Sequence, residues 1–324
     1  MKTYLLRVEG ERVLIEPAQV PRPEPGPQQL LLRMRAAGLN RGELIPGGLA
    51  KAGAAKPAGM EGAGEVEAIG ADVTRFRVGD RVMGRCPGAF SEFTLIDERE
   101  AMPMPPALSF EEAAAVPLVF LVVHDMLVLQ GRLQAGEWLL VTGVSSGVGV
   151  ASLQLAKVLG ARVIGSSGSA DKLDRLAPLG LDLGMHTREA TFHDAVMRAT
   201  DGRGVDLVVN AVGGSVFAEC LRCMAFEGRL ATVGYVDGVL KSELDLQALH
   251  ARRLTLFGVS NKQRSAAQRA AGVPAFVDQV LPALADGRIR PLVDRVFPFA
   301  DMAAAQAHME ANRHLGKIVL SVAP

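Results

Sequence analysis

Aromatic side chains are scarce: Phe, Tyr and Trp make up 5% of the 324 residues, with a single Trp and two Tyr. Such a chain offers few rings on which nucleic-acid bases could stack. Net charge is missing too, because 35 Lys and Arg balance 35 Asp and Glu. A balanced chain has no global field to draw a polyanion or an anionic membrane. The three cysteines, Cys86, Cys220 and Cys223, are too few for a disulfide framework and are expected to stay reduced. No apolar run approaches the roughly 20 residues of a membrane span. The longest, residues 116–123, stops at His124 and Asp125. Glu9, Glu11 and Arg12 interrupt the N-terminus before a signal-peptide core could form. A cytosolic globular protein is expected, with neither a nucleic-acid nor a membrane partner.

What is present is apolar and glycine-rich: 49% hydrophobic residues and 35 Gly. At roughly 150 residues per domain the length suggests two domains. The first 110 residues read as β-rich, with short apolar or alternating runs between Gly and Pro clusters. Residues 29–36, 64–69 and 81–83 are strands, the first with Leu30, Leu32 and Met34 on one face. The stretch 50–58 reads as a small-residue loop. Ser109 with Glu112 forms a capping box, and Pro117 stops or kinks the helix that it opens. Residues 118–130 are a second, very apolar helix.

Beyond that point strands (138–142, 162–165, 205–210, 229–233) alternate with helices (148–159, 170–177). This alternation implies βαβ units and a parallel sheet. The tail is mixed, with helices at 274–285 and 302–312 and strands at 293–298 and 317–322.

The segment VTGVSSGVGV, residues 141–150, joins the first of these strands to its helix. Gly143, Gly147 and Gly149 let the backbone turn tightly and approach a pyrophosphate, and the helix start offers free N–H groups to that anion. NAD enzymes usually place an acid at the end of the second strand, on the ribose 2′-hydroxyl. Here Gly165 and Ser166 stand in that place, followed by Ser169 and Lys172. Hydroxyls and a cation suit a 2′-phosphate instead. The same string fits the TGxxxGxG pattern of short-chain dehydrogenases, which need a YxxxK pair. Tyr4 and Tyr235 are followed at that spacing by Val8 and Val239, so the pair is lacking.

With these motifs the chain resembles the medium-chain dehydrogenase/reductase superfamily. More narrowly it is similar to the zinc-free, zeta-crystallin-like NADPH:quinone oxidoreductases, in the branch that resembles the p53-inducible quinone oxidoreductase. AAGLNRGEL (36–44), GMEGAGEVEAIG (59–70), VGDRV, GAFSEF and LSFEEAAAVP carry the likeness in the first part. SSGVG, LAKVLGARVIGSSGS, VDLVVNAVGG and the tail DRVFPFADMAAAQAHMEANRHLGKIVL carry it in the rest.

The resemblance implies an α/β protein: a GroES-like β-rich domain (1–119 and 262–324) plus a Rossmann doubly wound parallel-sheet domain (120–261). It implies NADPH as cofactor. Asn40 would lie beside the nicotinamide, with Glu43 at the family's acidic position. Ser145, Ser146, Gly147, Val148 and Gly149 would cradle the pyrophosphate. Ser166, Lys172 and Thr187 would contact the adenosine end, Thr187 replacing a common Tyr or His. Asn210, Ala211 and Val212, then Gly234 and Tyr235, then Ser260, Asn261 and Lys262 would line the nicotinamide side. No zinc is expected. Zinc-dependent relatives have Cys where Asn40 stands and His where Met60 stands, and they carry a four-cysteine lobe where this chain has only Cys86. Cys220 and Cys223 read as core packing. Val122 stands where the family often has Thr, and a Tyr common near Gly48 is missing. His124 reads as a hydrogen-bonded, partly buried side chain.

The implied reaction is hydride transfer from NADPH to quinones or other electron-poor conjugated carbonyls, with Asn40 as a positioning group. Two alternatives stay open: an enoyl-thioester or enal reductase on the same fold, and a non-catalytic NADPH-binding relative, structural or RNA-binding. A homodimer is expected, paired through apolar strands near residues 229–235 and 254–259 at the end of the sheet.

Overall fold

The computed structural model describes residues 1–10, 12–45 and 54–322. Gly48 and residues 50–53 of the small-residue stretch lie outside the described residues. The chain divides into two compact units, Met1–Leu121 with Lys262–Pro324, and Val122–Asn261.

The opening segment supplies β1 (Lys2–Glu9), β2 (Arg12–Gln19), β3 (Gln29–Leu39), β4 (Lys56–Pro57), β5 (Gly62–Ile69), β6 (Arg81–Gly84), β7 (Phe93–Asp97) and β8 (Ala101–Pro103). The middle segment supplies β9 (Trp138–Thr142), β10 (Arg162–Ser167), β11 (Leu183–His186), β12 (Val205–Asn210), β13 (Met224–Thr232) and β14 (Thr255–Gly258). The last segment adds β15 (Val293–Pro298) and β16 (Lys317–Ser321).

In the first unit the sheet runs β15-β16-β3-β5-β6-β8, with β7 also on β3, and a smaller sheet runs β2-β1-β4. β3 is its spine, because Leu30, Leu32 and Met34 are buried with Val66, Phe90, Ile96 and Leu320. β3 also runs past the expected end at Ala36 to Leu39, where β16 pairs it antiparallel. That extension delivers Asn40 at the strand's end. The Ser109–Glu112 capping box is formed, and the helix Phe110–Ala114 ends before Pro117. Pro117 then opens the helix Pro117–His124, since a first-turn residue needs no N–H donor. The single helix expected over 274–285 is two, Val273–Gln279 and Leu281–Ala285, with Pro282 in the first turn of the second.

The second unit is a six-stranded sheet ordered β11-β10-β9-β12-β13-β14, and every neighbouring pair is parallel. This is the doubly wound order, in which the strand sequence reverses beside the first strand and ligands meet the carboxyl ends. The run 118–130 changes character at its end: after His124 the backbone takes a π-helical turn, Asp125–Gln130. The structure corrects the reading that residues 229–235 form an edge. β13 is hydrogen-bonded to β12 on one side and β14 on the other, so β14 alone is the terminal strand there. Cys220 and Cys223 are fully buried in this unit's core with Val216, Leu221 and Met224. Among the described residues no helix is long and apolar enough to cross a membrane.

Candidate functional site

The glycine-rich turn begins where β9 ends at Thr142. Gly143 takes φ +69, a left-handed conformation that favours glycine. Its carbonyl accepts from Ser146 N at 3.0 Å, closing the turn. Ser146 then caps the helix Gly147–Val158, its hydroxyl accepting from Gly149 N at 3.1 Å. Gly149 has no room for a side chain: a Cβ would lie 2.5 Å from Gly143 O and 2.6 Å from Val144 C. The helix therefore starts in van der Waals contact with the turn. The amides of Gly147 and Val148 fall in its first turn and have no intrahelical carbonyl to bond. This cradle fits a pyrophosphate, which would meet free N–H groups and the positive end of a 12-residue helix.

The carboxyl end of β10 lies alongside. Ser145 Oγ is 3.1 Å from Ser167 Oγ, and Val144 N donates to Ser166 O at 2.9 Å. No carboxylate stands at this strand's end: it reads Gly165, Ser166, Ser167. Ser166 is buried, and Ser169 caps the next short helix, Ala170–Leu176, whose first turn carries half-buried Lys172. Thr187 follows β11 and donates its N–H to Ser167 O at 3.0 Å. Ser166, Lys172 and Thr187 are thus gathered at the ends of two adjacent strands.

On the other side of the switch, Asn210 ends β12 with its side chain spent on the backbone. Its Nδ2 donates to Gly213 O at 2.9 Å, and its Oδ1 accepts from Val212 N, Gly213 N and the Thr142 hydroxyl. The residue shapes the 210–213 turn, and its own side chain is occupied in doing so. Val233 N donates to Asn210 O, and a Cβ on Gly234 would lie 3.0 Å from Ala211 O, so Ala211 and Gly234 are brought close together. Tyr235 is exposed. Ser260 and Asn261 follow β14 in this unit, whereas Lys262 begins the returning segment of the first.

Asn40 belongs to the first unit and has its own neighbourhood. It precedes the 3-10 turn Arg41–Glu43, and its side chain does not cap that turn. Instead Nδ2 donates to Glu43 Oε1 at 3.1 Å and to Glu61 Oε1 at 2.9 Å. Its Oδ1 accepts from Lys317 Nζ at 2.7 Å. Lys317 completes its three bonds on Leu39 O at 3.0 Å and Glu61 Oε1 at 2.7 Å. Glu61 Oε2 accepts from Leu118 N at 2.6 Å. Both amide hydrogens of Asn40 are therefore engaged, and only an acceptor position on Oδ1 remains. Gly38 makes room for this cluster, since a Cβ there would lie 2.6 Å from Ala114 O and 2.7 Å from Glu61 Oε1.

Glu43 is the unsettled member. Burial pushes its carboxyl up to about 7, although the Asn40 hydrogen bond and the Lys317 charge pull it down. Its Oε2 is buried and finds no partner among the described residues. A neutral acid resolves that position better than an unsolvated anion.

Glu61 and Lys317 were not singled out by sequence reasoning, although both lie inside recognised motifs, GMEGAG and HLGKIVL. Their pairing spans 256 positions, and no local pattern announces it.

The donor set does not suit zinc. Both amide hydrogens of Asn40 go to carboxylates and its oxygen already accepts from an ammonium, and that cation, Lys317, neutralises Glu61. Among the described residues no group of three or more His, Cys, Asp and Glu could hold a metal ion. Cys86 is buried in the first unit, and burial pushes its thiol up to about 12, away from the thiolate a metal would need. His124 is 1% exposed, more deeply buried than the sequence suggested.

Residues 26–106 match the alcohol dehydrogenase GroES-like domain family, and residues 179–320 the family described as zinc-binding dehydrogenase. The quinone oxidoreductase of Pseudomonas aeruginosa is 32% identical over 305 residues, covering 92% of each chain. The highly reducing polyketide synthase gloL of Glarea lozoyensis is 30% identical over 303 residues, 92% of this chain. The chain spans only 12% of that synthase's length. Among solved structures, the quinone oxidoreductase of Pseudomonas syringae is 30% identical with a TM-score of 0.86, covering 99% of this chain and 100% of that one. A mycobacterial protein complexed with NADPH is 28% identical with a TM-score of 0.87 at the same coverage. The CurK enoyl reductase is 26% identical with a TM-score of 0.81, covering 98% of each. With a GroES-like domain, a doubly wound nucleotide-binding sheet and a lysine-neutralised cluster that does not suit a catalytic metal, this chain belongs to the medium-chain dehydrogenase/reductase superfamily, among its zinc-free, quinone oxidoreductase-like members.

Proposed function

We propose that the chain is an NADPH-dependent, zinc-independent reductase of quinones or other electron-poor conjugated carbonyls. The observation that carries the cofactor reading is the carboxyl end of β10, where serines and Lys172 stand and an acid does not. The NADPH-bound mycobacterial relative supports it. The Pseudomonas aeruginosa quinone oxidoreductase, matched over nearly its whole length, supports the substrate class.

Bound NADPH supplies the hydride. Ser146, Gly147, Val148 and Gly149 hold the pyrophosphate, while Ser166, Lys172 and Thr187 serve the adenosine end. Asn210, Ala211, Val212, Gly234, Tyr235, Ser260 and Asn261 border the nicotinamide side. Asn40 acts as a positioning group and not as a proton donor, because Glu43 and Glu61 hold both its amide hydrogens. The acceptor must then be activated by its own conjugation, and the proton that completes reduction comes from solvent.

Following NADPH oxidation with a panel of benzoquinones and naphthoquinones tests this. Turnover with NADPH and at least roughly tenfold tighter binding of NADPH than NADH are expected, from one charged hydrogen bond at Lys172. Lys172→Ala should reduce that preference by roughly tenfold. NADPH bound without turnover of any acceptor would favour the non-catalytic alternative.

A second reading has a specific support. The polyketide-synthase match and the CurK enoyl reductase fold point to α,β-unsaturated thioesters as acceptors. Higher kcat/KM on an enoyl thioester than on any quinone in the panel would decide for it.

The assembly we propose is a homodimer through β14. That strand is terminal, and the segment before it exposes Val236, Val239, Leu240 and Leu246. An unpaired edge flanked by apolar side chains favours association. Light scattering should give twice the 34.3 kDa chain mass; a monomer at micromolar concentration would refute the dimer. Three buried, unpaired cysteines are in keeping with a cytosolic location.

A further inference from the structure

We propose that Arg188 is a second cationic determinant of the cofactor's 2′-phosphate, given its place over the strand end by the missing side chain of Gly168. The inference rests on the NADPH reading above and adds a residue to it.

Strands β10 and β11 pair in parallel, with Ser167 opposite His186. Thr187 N then bonds Ser167 O, so the chain leaving β11 stays against the end of β10. Arg188, the next residue, folds back across Gly168. A Cβ built on Gly168 would lie 2.2 Å from Arg188 Nε, 2.7 Å from its Cγ and 2.9 Å from its Cζ. The arginine side chain thus lies over the Gly168 backbone, in space that a Cβ at position 168 would claim.

Gly168 is not among the glycines with positive φ. Its backbone is open to any residue, so what glycine provides here is space. The space is filled by an arginine that is itself exposed, with no carboxylate in ion-pair contact among the described residues. A cation with no carboxylate partner among the described residues therefore lies beside the strand end that in this fold meets the adenosine ribose. Arginine offers a planar fork of donors matched to phosphate oxygens, whereas a free 2′-hydroxyl would gain little from it.

The test measures dissociation constants of NADPH, NADH and 2′,5′-ADP for the wild type, Arg188→Gln, Arg188→Lys, Gly168→Ala and Lys172→Ala. Arg188→Gln should weaken NADPH and 2′,5′-ADP by roughly tenfold and leave NADH within about twofold. Arg188→Lys should recover part of the loss. Gly168→Ala should shift NADPH in the same direction with the arginine still present, because the added methyl displaces it. A wild type that prefers NADPH, with a preference lost in Lys172→Ala but intact in Arg188→Gln, would overturn the role of Arg188 and leave the cofactor reading standing. Equal affinity of the wild type for NADPH and NADH would overturn both.

Discussion

Lys317 places its Nζ 2.7 Å from Oε1 of Glu61, and neither residue is more than 5% exposed. Removing one partner of such a pair leaves an uncompensated buried charge, at a cost of about 3–5 kcal/mol. Lys317→Met should lose stability on that scale in urea denaturation. The double variant Lys317→Met/Glu61→Gln should recover a substantial part, because the stranded carboxylate is gone. A single variant within about 1 kcal/mol of wild type would show that the pair is not what holds the cluster.

Glu43 gives the cluster a pH dependence of definite sign. Its carboxyl is raised in the folded state from an ordinary 4.5 to about 7. Between those values the folded state binds more protons than the unfolded one, so this group's contribution to stability falls as pH rises and is lost above about 7. The full shift is worth on the order of 3 kcal/mol. Glu43→Gln, which mimics the neutral acid, should lack that slope and gain on the wild type as pH rises from about 5 to 8. Parallel urea midpoints for the two proteins would disprove it.

Gly143 and Gly149 should respond differently to alanine. At Gly143 there is room, with the nearest atom 3.7 Å away, and the cost is that of a positive φ, about 1 kcal/mol. At Gly149 the methyl meets backbone atoms at 2.5 and 2.6 Å that cannot move without opening the turn. Gly149→Ala should therefore abolish measurable NADPH binding, and Gly143→Ala should weaken it far less. Isothermal titration of the two variants checks the order.

The cysteines should be silent in the native protein. All three are buried, and burial raises each thiol, Cys86 and Cys223 to about 12. A thiol reagent near neutral pH should count close to none before denaturation and all three after it. Prompt reaction of one cysteine in the native state would contradict this burial.

Much of this fold is legible in the sequence because its signals are local. β9, β12 and β15 begin and end where the sequence places them, at 138–142, 205–210 and 293–298. The Gly143–Gly149 spacing likewise foretells a tight turn into a helix. Pairing order is another matter. β13 and β14 both read as strands at the end of the sheet, and only their pairing shows that β14 covers the far side of β13. β1 and β2 escaped notice because only a few of their residues are buried. The engagement of Asn40 is illegible for another reason: its partners Glu61 and Lys317 are brought to it by pairing between strands far apart in the chain. Arg188 carries no pattern at all, being one exposed arginine among many until Gly168 is seen beneath it.

β16 is made after every other described strand, yet it bonds directly to β3, one of the first three. During synthesis the contiguous segment Val122–Asn261 is complete while the first sheet still waits for its neighbour. Until Lys317 leaves the ribosome, Glu61 has no cation to accompany it into the interior. The nucleotide-binding unit is thus free to fold as an early, self-sufficient body, whereas the unit that holds Asn40 closes only with β16. Truncation before that strand would yield a polypeptide with a formed dinucleotide turn and an unfinished partner around Asn40.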